Sequence, residues 1–589
     1  MKGVRERIES WSQWLGVRWR AGLVLLFFAL AAVTMLGRAV QLQVAERDFY
    51  AEQGGDRHER VQAIPANRGM ITDRHGEPLA ISVGMHAVWA DPSVIAAHPE
   101  ALRELAHLLE QPADELIRRV QERSGRRFLY VARQVRPSQA ERVRAARLPG
   151  VGLQREYKRF YPTGDVTAPL LGFTNIDDQG QAGIELSFER MLSGEAGKRR
   201  ILKDGDDREI ADLGVIQKAR PGEDLALSID RRLQYLAYRE LARAVEDNRA
   251  DSGALVLMDV ATGEVLAMAS APSFNPNNRA SIDPEHTRNH ALVDQFEPGS
   301  SVKPFTVATA LASGRWHVDD IIDTAPGHRR VGGYTIHDHR NYGELDLRGV
   351  LEKSSNVAAS LLAEDIGAQA LWRAFRALGF GRLTAVGFPG EASGSLSLWR
   401  DWREADVAAH GYGYGVSVTA LQLASAYAAL GNGGRYVMPS LLRRVEAAES
   451  RQVFDLAVAR RVVELMQAVV SPAGTAPAAA IEGYHVAGKT GTVRRIVDGG
   501  YSTEDYNTVF AGLAPASDPR LAAVVVINRP TGGKVYAGDV AAPVFHEVMS
   551  GALRMLNIRP DDLDDLPART VAGDPGRSVP VKTRDGEAG

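Results

Sequence analysis

Three short segments of this chain carry residue types that combine into one chemistry: Ser300-Ser301-Val302-Lys303, Ser354-Ser355-Asn356 and Lys489-Thr490-Gly491-Thr492. The lysines are the informative residues. Of the 70 lysines and arginines only ten are lysine. Arginine keeps its proton inside a protein, whereas burial can tune lysine to lose it. Only Lys303 has a serine three places before it, and Lys-Thr-Gly occurs once. On a helix Ser300 and Lys303 lie one turn apart on one face. A neutral Lys303 can then take the Ser300 proton and make the hydroxyl a nucleophile. Desolvation and a second cation, Lys489, both push a lysine toward that neutral form. Ser354 suits the relay of a proton to a leaving amine. The Asn356 amide suits orienting Lys303 or holding a substrate carbonyl. Lys489 with Thr490, Gly491 and Thr492, helped by Arg494, can bind a carboxylate. The backbone N–H groups of Ser300 and Thr492 are candidates for an oxyanion hole. Together these residues describe acyl transfer through a covalent ester, on a substrate that ends in a carboxylate.

Other readings of single motifs are weaker. Ser300 follows Glu297-Pro298-Gly299, so it can cap a helix running from Ser301 to Ala312. That role is compatible with catalysis, because the helix N-terminus favours negative charge. His337-Asp338-His339 puts two imidazoles on one face of a strand but supplies no evident third ligand, so no metal is expected. Gly411-Tyr412-Gly413-Tyr414-Gly415 lacks the spacing and the preceding strand of a nucleotide fingerprint and reads as a packed turn.

The elements that must position these residues form an α+β pattern. Gly253 to Val260 and Glu264 to Ala269 flank Ala261-Thr262-Gly263, which predicts a hairpin of buried strands. Val509 to Ala514 and Leu521 to Ile527 are further strands near the far end. Helices are expected over Leu233 to Val245, Thr419 to Leu430 and Val540 to Leu556. Strands at both ends with helical sequence between them predict one domain whose sheet is assembled from both ends. Upstream, Gly76 marks a turn between two short strands. Leu102, Leu105, Leu108 and Leu109 have helical spacing, with Pro112 closing that helix and opening the next. Ten arginines between Arg118 and Arg147 read first as a solvated helical face, and alternatively as a docking surface for an acidic partner or lipid headgroups.

At 589 residues the chain is too long for one core. A net charge of −3 gives no reason to expect nucleic-acid binding. The absence of cysteine excludes disulfides, thiolate metal sites and a cysteine nucleophile. Ala21 to Gly37 is a charge-free apolar run bounded by Arg18, Arg20 and Arg38, and it is extended by apolar neighbours around snorkelling arginines. Lys2, Arg5, Arg7, Arg18 and Arg20 precede it, which predicts an uncleaved single anchor with a cytoplasmic N-terminus.

Serine, lysine, serine, asparagine and Lys-Thr-Gly in this order are the signature of penicillin-interacting serine enzymes. Further segments extend the likeness: Arg68-Gly69 with Asp73-Arg74, Arg159-Phe160-Tyr161-Pro162, Gly183-Ile184-Glu185, Phe296 to Ser300, Lys353 to Asn356, Tyr412 to Gly415, and Ala541-Ala542-Pro543-Val544-Phe545. On these residues the chain resembles class B penicillin-binding proteins of the FtsI type over nearly its whole length. The resemblance implies an α+β protein in five parts. These are a cytoplasmic tail (1–17), a single transmembrane helix (18–40), an elongated α+β pedestal (41–224), a transpeptidase domain with a β-lactamase-like antiparallel sheet flanked by helices (225–558), and a flexible tail (559–589). It implies a serine-type D,D-transpeptidase, an acyltransferase with carboxypeptidase-like chemistry. Such an enzyme crosslinks peptidoglycan stem peptides ending in D-Ala-D-Ala at the division septum of the inner membrane, with the catalytic domain in the periplasm. Ser300 is then the acylated residue for substrate and β-lactam alike. The implied partners are the polymerase FtsW and other divisome membrane proteins, and no cofactor is implied. Two departures stand out. Ser301 replaces an expected threonine, and Gly538-Asp539 stands where Gly-Gly is common. A β-lactamase would need a deacylating glutamate in E-x-x-L-N. The only Leu-Asn pair, Leu556-Asn557, has Leu553 at that position. A non-catalytic sensor or scaffold that binds β-lactam stays open as a different class.

Overall fold

The structure, a computed structural model, describes residues 2–46, 59–203, 209–497 and 500–562. The tail expected from residue 559 lies outside the described residues beyond position 562. The chain forms two compact units whose segments interleave in sequence. One unit comprises Met1–Asn67, Gly84–Tyr157 and Gly194–Pro221; the other comprises Arg68–Val83, Lys158–Ser193 and Gly222–Gly589.

The first unit begins with helix α1 (Lys2–Val40). The stretch Trp19–Val44 is long and apolar enough to cross a membrane, and none of it is buried. At ~1.5 Å per residue it outreaches a hydrocarbon layer of ~30 Å. Farther on, helices Pro99–Leu108, Ala113–Gln121 and Pro137–Ala146 bury Leu102, Leu105, Leu116, Val120 and Val143 against Val88, Val131 and Val135. Pro112 sits at the junction of the first two helices, as its fixed φ and missing N–H require. The arginine-rich stretch is mainly surface. Arg119 donates to the carbonyls of Tyr130 and Val131, Arg133 pairs with Glu156, and Arg142 pairs with Glu110. Strands Glu59–Ile64, Gly197–Lys203 and Glu209–Gln217 form a separate antiparallel sheet.

The second unit is organised around one five-stranded sheet. Its elements are α2 (Arg231–Asp247), β1 (Ser252–Asp259), β2 (Val265–Ala271), α3 (Lys303–Ala312), α4 (Asn356–Ile366), α5 (Ala420–Gly431), β3 (Ala487–Val497), β4 (Gly500–Ala514), β5 (Leu521–Asn528) and α6 (Ala537–Met555). Strand order is β2-β1-β5-β4-β3, antiparallel throughout, so strands from both ends of the unit build one sheet. The hairpin β1–β2 forms as expected. Asp259 accepts the N–H groups of Ala261 and Thr262 and the Thr262 hydroxyl, which closes the turn.

Strand alternation decides what each face meets. Gly253, Leu255, Val525 and Phe510 point to one face, where Phe510 meets Phe545 of α6 at 4.8 Å between ring centroids. A side chain at Gly253 would run into Leu241 and Val245 of α2. The opposite face carries Met258, whose sulfur receives the Ser425 hydroxyl of α5 at 3.8 Å. Every residue from Ala420 to Leu430 is buried, as befits a helix that is apolar all round. Thr419 and Gln422 close its N-terminus reciprocally as a capping box. Register puts Lys489 on this same face, because it pairs with Ala511 and not with Phe510.

Three of the motif segments converge on one carboxylate. Arg68 Nε and Arg159 Nε each lie 2.7 Å from a different oxygen of Glu185, and all three side chains are buried. A second carboxylate, Glu189, takes Arg68 at 2.7 Å.

Candidate active site

Ser300 lies in a 3₁₀ turn, Gly299–Val302, and the α-helix proper starts at Lys303 with Pro304 in its first turn. The expected capping role is not adopted. Ser301 and not Ser300 bonds back, its Oγ donating to the Pro298 carbonyl at 2.7 Å. The turn is clamped from two more sides. The Tyr427 hydroxyl of α5 donates to the Ser301 carbonyl at 2.7 Å, and the Gly299 N–H donates to the Gly413 carbonyl at 3.0 Å. Gly413 has φ +89°, and a Cβ there would stand 2.0 Å from the Gly299 oxygen. The Gly411–Gly415 segment is therefore the bed of the Ser300 turn, the packed turn that its spacing suggested. Gly491 plays the same part from β3, since a Cβ there would lie 2.8 Å from the Pro298 oxygen. Ser300 itself is partly exposed. Among the described residues neither its hydroxyl nor its N–H has a hydrogen-bond partner.

Lys303 and Lys489 are both fully buried. Lys303 Nζ lies 2.6 Å from the Ser354 carbonyl, 2.8 Å from Asn356 Oδ1 and 3.3 Å from Ser354 Oγ. Lys489 Nζ lies 2.9 Å from Ser354 Oγ, 3.1 Å from the Thr490 carbonyl and 3.3 Å from Thr490 Oγ1. Ser354 thus joins the two amines. Burial pushes Lys303 well below the ordinary lysine range, and the charge of Lys489 adds to this while Asp338 opposes it. Burial also pushes Lys489 down, to about 7. The partners of Lys303 are thus two carbonyl-type oxygens and one hydroxyl, all of them uncharged.

Ser354 holds φ +57°, a left-handed conformation that costs a residue with a Cβ about 1–2 kcal/mol. Ser355 caps α4, accepting the Ala358 N–H at 3.0 Å. Asn356 turns its Oδ1 to Lys303 and donates Nδ2–H to the His337 carbonyl at 3.0 Å, which fixes the amide's orientation.

Lys303, Ser354, Asn356, Lys489 and Thr490 are therefore one hydrogen-bonded cluster. Thr492 is tied elsewhere, its Oγ1 accepting the Ala537 N–H at 3.1 Å. Arg494 is exposed and makes no hydrogen bond to the cluster. Sequence reasoning missed Thr475, whose hydroxyl meets that of Thr490 at 2.8 Å, and the clamp from Tyr427. It also missed Asp338, which bonds the first turn of α4. Only the last had a visible signal, the His337-Asp338-His339 motif weighed for metal. Among the described residues no three His, Asp or Glu side chains gather to hold a metal ion.

Two family models match the chain: the penicillin binding protein transpeptidase domain over residues 253–550, and the penicillin-binding protein dimerisation domain over residues 63–227. The chain is 44% identical over 552 residues to the peptidoglycan D,D-transpeptidase FtsI of Escherichia coli K12, covering 93% of each. It is 42% identical over 546 residues to the probable peptidoglycan D,D-transpeptidase PbpC of Pseudomonas aeruginosa, covering 93% of this chain and 97% of that one. Among solved structures, penicillin binding protein 3 of Mycobacterium tuberculosis complexed with aztreonam is similar, with a TM-score of 0.67 at 26% identity over 85% of this chain and 98% of that one.

Proposed function

The chain belongs to the class B penicillin-binding proteins, and from that premise we propose that Ser300 is the residue acylated in its transpeptidase reaction. The protein is a serine-type peptidoglycan D,D-transpeptidase and a target of β-lactam antibiotics. The observation that carries the assignment of residues is the pair of fully buried amines sharing Ser354, with Lys303 three residues after a Ser300 hydroxyl that has no hydrogen-bond partner among the described residues.

The reaction runs as follows. Neutral Lys303 takes the Ser300 proton as Oγ attacks the carbonyl carbon of the penultimate D-Ala of a stem peptide. The carbonyl oxygen gathers negative charge against the N–H groups of Ser300 and Thr492. The C–N bond then breaks. Its nitrogen receives a proton through Ser354, D-Ala leaves, and an ester joins the remaining peptide to Ser300. An acceptor amine attacks that ester and gives up a proton to the Lys303–Ser354 pair; the ester C–O bond breaks, Lys303 returns a proton to Ser300 Oγ, and the new amide is the crosslink. Lys489, Thr490, Gly491 and Thr492, with Arg494, hold the terminal carboxylate. The carboxylate's charge favours protonation of Lys489 at that moment. Asn356 keeps Lys303 aimed.

We assign acyl transfer to residues 225–558 and the pedestal role to residues 41–224; the spans of the two family matches support this division. The N-terminal apolar helix anchors the protein in a membrane. A cytoplasmic N-terminus follows from the basic residues before the span. Septal location and contact with FtsW-type polymerases are proposed from the FtsI relatives. The deciding experiment is intact-mass measurement of full-length protein in detergent after exposure to penicillin. One adduct per chain is expected, and none in Ser300→Ala. The same adduct in Ser300→Ala overturns the assignment.

A further inference from the structure

Asp338 sits just past the short strand Tyr334–His337, and its carboxylate faces the first turn of α4. Oδ1 accepts the Asn356 N–H at 2.5 Å and the Val357 N–H at 3.0 Å, and Oδ2 accepts the Ser355 hydroxyl at 2.6 Å. The preceding carbonyl, of His337, accepts the side-chain amide of Asn356 at 3.0 Å. Two consecutive residues thus hold Asn356 by backbone and side chain together. A carboxylate at a helix N-terminus is favoured by the dipole, and bonds to an ionised acceptor are the strong ones. Immediately upstream is Ser354, whose φ of +57° persists only if its surroundings over-determine it.

We propose that Asp338 is a positioning residue of the acyl transfer. Its carboxylate locks Ser354-Ser355-Asn356 into the strained turn that presents two acceptors to Lys303 and a hydroxyl to both lysines. The proposal rests on the reading of Ser300 and Lys303 as the reacting pair.

Asp338 exerts a second effect of opposite sign. The charged groups that face Lys303 are Lys489, which disfavours its protonated form, and Asp338, which favours it. Removing the Asp338 charge therefore loosens the turn yet makes Lys303 easier to deprotonate. Acylation needs neutral Lys303, so its rate climbs as pH rises through the Lys303 pKa. Without Asp338 that climb must occur at lower pH.

The test is the second-order rate of acylation by a fluorescent penicillin against pH, on full-length protein in detergent, normalised to the final amount of adduct. For Asp338→Asn the plateau should fall roughly tenfold or more, the worth of a charge-assisted bond, while the acid limb moves to lower pH. Asp338→Glu keeps the charge and misplaces it, so its plateau should fall with the limb unmoved. Ser355→Ala removes one of the three bonds together with the cap on α4, keeps the charge, and serves if Asp338→Asn does not fold; a smaller fall with an unmoved limb is expected. A purely structural role would lower the adduct yield and leave the limb where it was. A wild-type plateau in Asp338→Asn, an unmoved limb in that variant, or wild-type rates in Ser355→Ala overturn the proposal. An adduct persisting in Ser300→Ala would instead overturn the premise.

Discussion

Arg68 and Arg159 are buried around the carboxylate of Glu185, whereas Lys303 and Lys489 are buried around the hydroxyl of Ser354. Both clusters bring two basic side chains together out of water, and both lie in the same compact unit. The difference is what stands between the bases. A carboxylate lets two guanidiniums remain charged, because attraction offsets part of the desolvation. A hydroxyl offers no such compensation. Each lysine Nζ meets only neutral oxygens, and burial drives both amines toward losing their protons. Arginine would be wrong in the second cluster, because its proton cannot leave. Lysine would be a weaker choice in the first, because it lacks the fork that spans two carboxylates.

The sharpest way to break this comparison is to write arginine into the lysine cluster. Lys303→Arg removes the side chain proposed to take the Ser300 proton. Acylation by penicillin should fall by at least about a thousandfold, within the range for loss of a general base. Lys489→Arg keeps a cation for the substrate carboxylate and should leave a measurable remnant, roughly a hundredfold below wild type. Stopped-flow acylation rates on both variants check the asymmetry. Equal residual rates would mean that neither lysine is special as a base.

The reverse intervention removes the anion from the arginine cluster. Glu185→Ala leaves Arg68 and Arg159 buried, with Glu189, which is 31% exposed, as the one carboxylate ion-paired to Arg68 among the described residues. Breaking a buried pair from one side costs about 3–5 kcal/mol. The unfolding midpoint should drop accordingly, while the protein that remains folded still acylates. Loss of acylation with unchanged stability would show that the cluster belongs to the reaction and not to the scaffold.

The two clusters also differ in how legible they are before folding. Lys303 and Lys489 were visible because their chemistry requires particular neighbours at fixed spacing and the chain has few other lysines. The sheet was visible because β1, β2, the second half of β4, and β5 are runs of buried apolar residues. Strand β3 and the first half of β4 were missed. Residues such as Tyr501, Thr503 and Glu504 lie on an exposed stretch where no apolar pattern is required. The Arg68–Glu185–Arg159 contacts join residues that no local periodicity connects. Their segments were recognised as motifs, but nothing in them said that they meet. Asp338 illustrates the same limit at the active site. Its histidine neighbours suggested ligands, while its actual partners are the backbone and hydroxyl of a helix 17 to 19 positions away. The interleaving of the two compact units is likewise a property of long-range packing.

The smallest test concerns a third acid at the arginine cluster. Asp178 gives its backbone carbonyl to Arg68 at 3.1 Å, while its side-chain Oδ1 is buried without a partner. Arg68 and Arg159 are already balanced by Glu185 and Glu189, so a third carboxylate is surplus. Burial raises the Asp178 pKa from 3.8 to about 6; the two arginines pull against this, and Glu185 adds to it. The folded state therefore holds this proton more tightly than the unfolded state. Its contribution to stability is best at low pH, fades as pH rises from about 4 to about 6, and remains unfavourable above that. Asn is neutral at every pH and tolerates the φ of +62° at this position. Asp178→Asn should thus stabilise the protein by about 3 kcal/mol near pH 8 and by well under about 1 kcal/mol near pH 4. Thermal unfolding of both proteins across that range measures the difference. A variant that is less stable than wild type at pH 8 would mean that the ionised Asp178 is a needed counter-charge, and that the arginine cluster is as short of anions as the lysine cluster is.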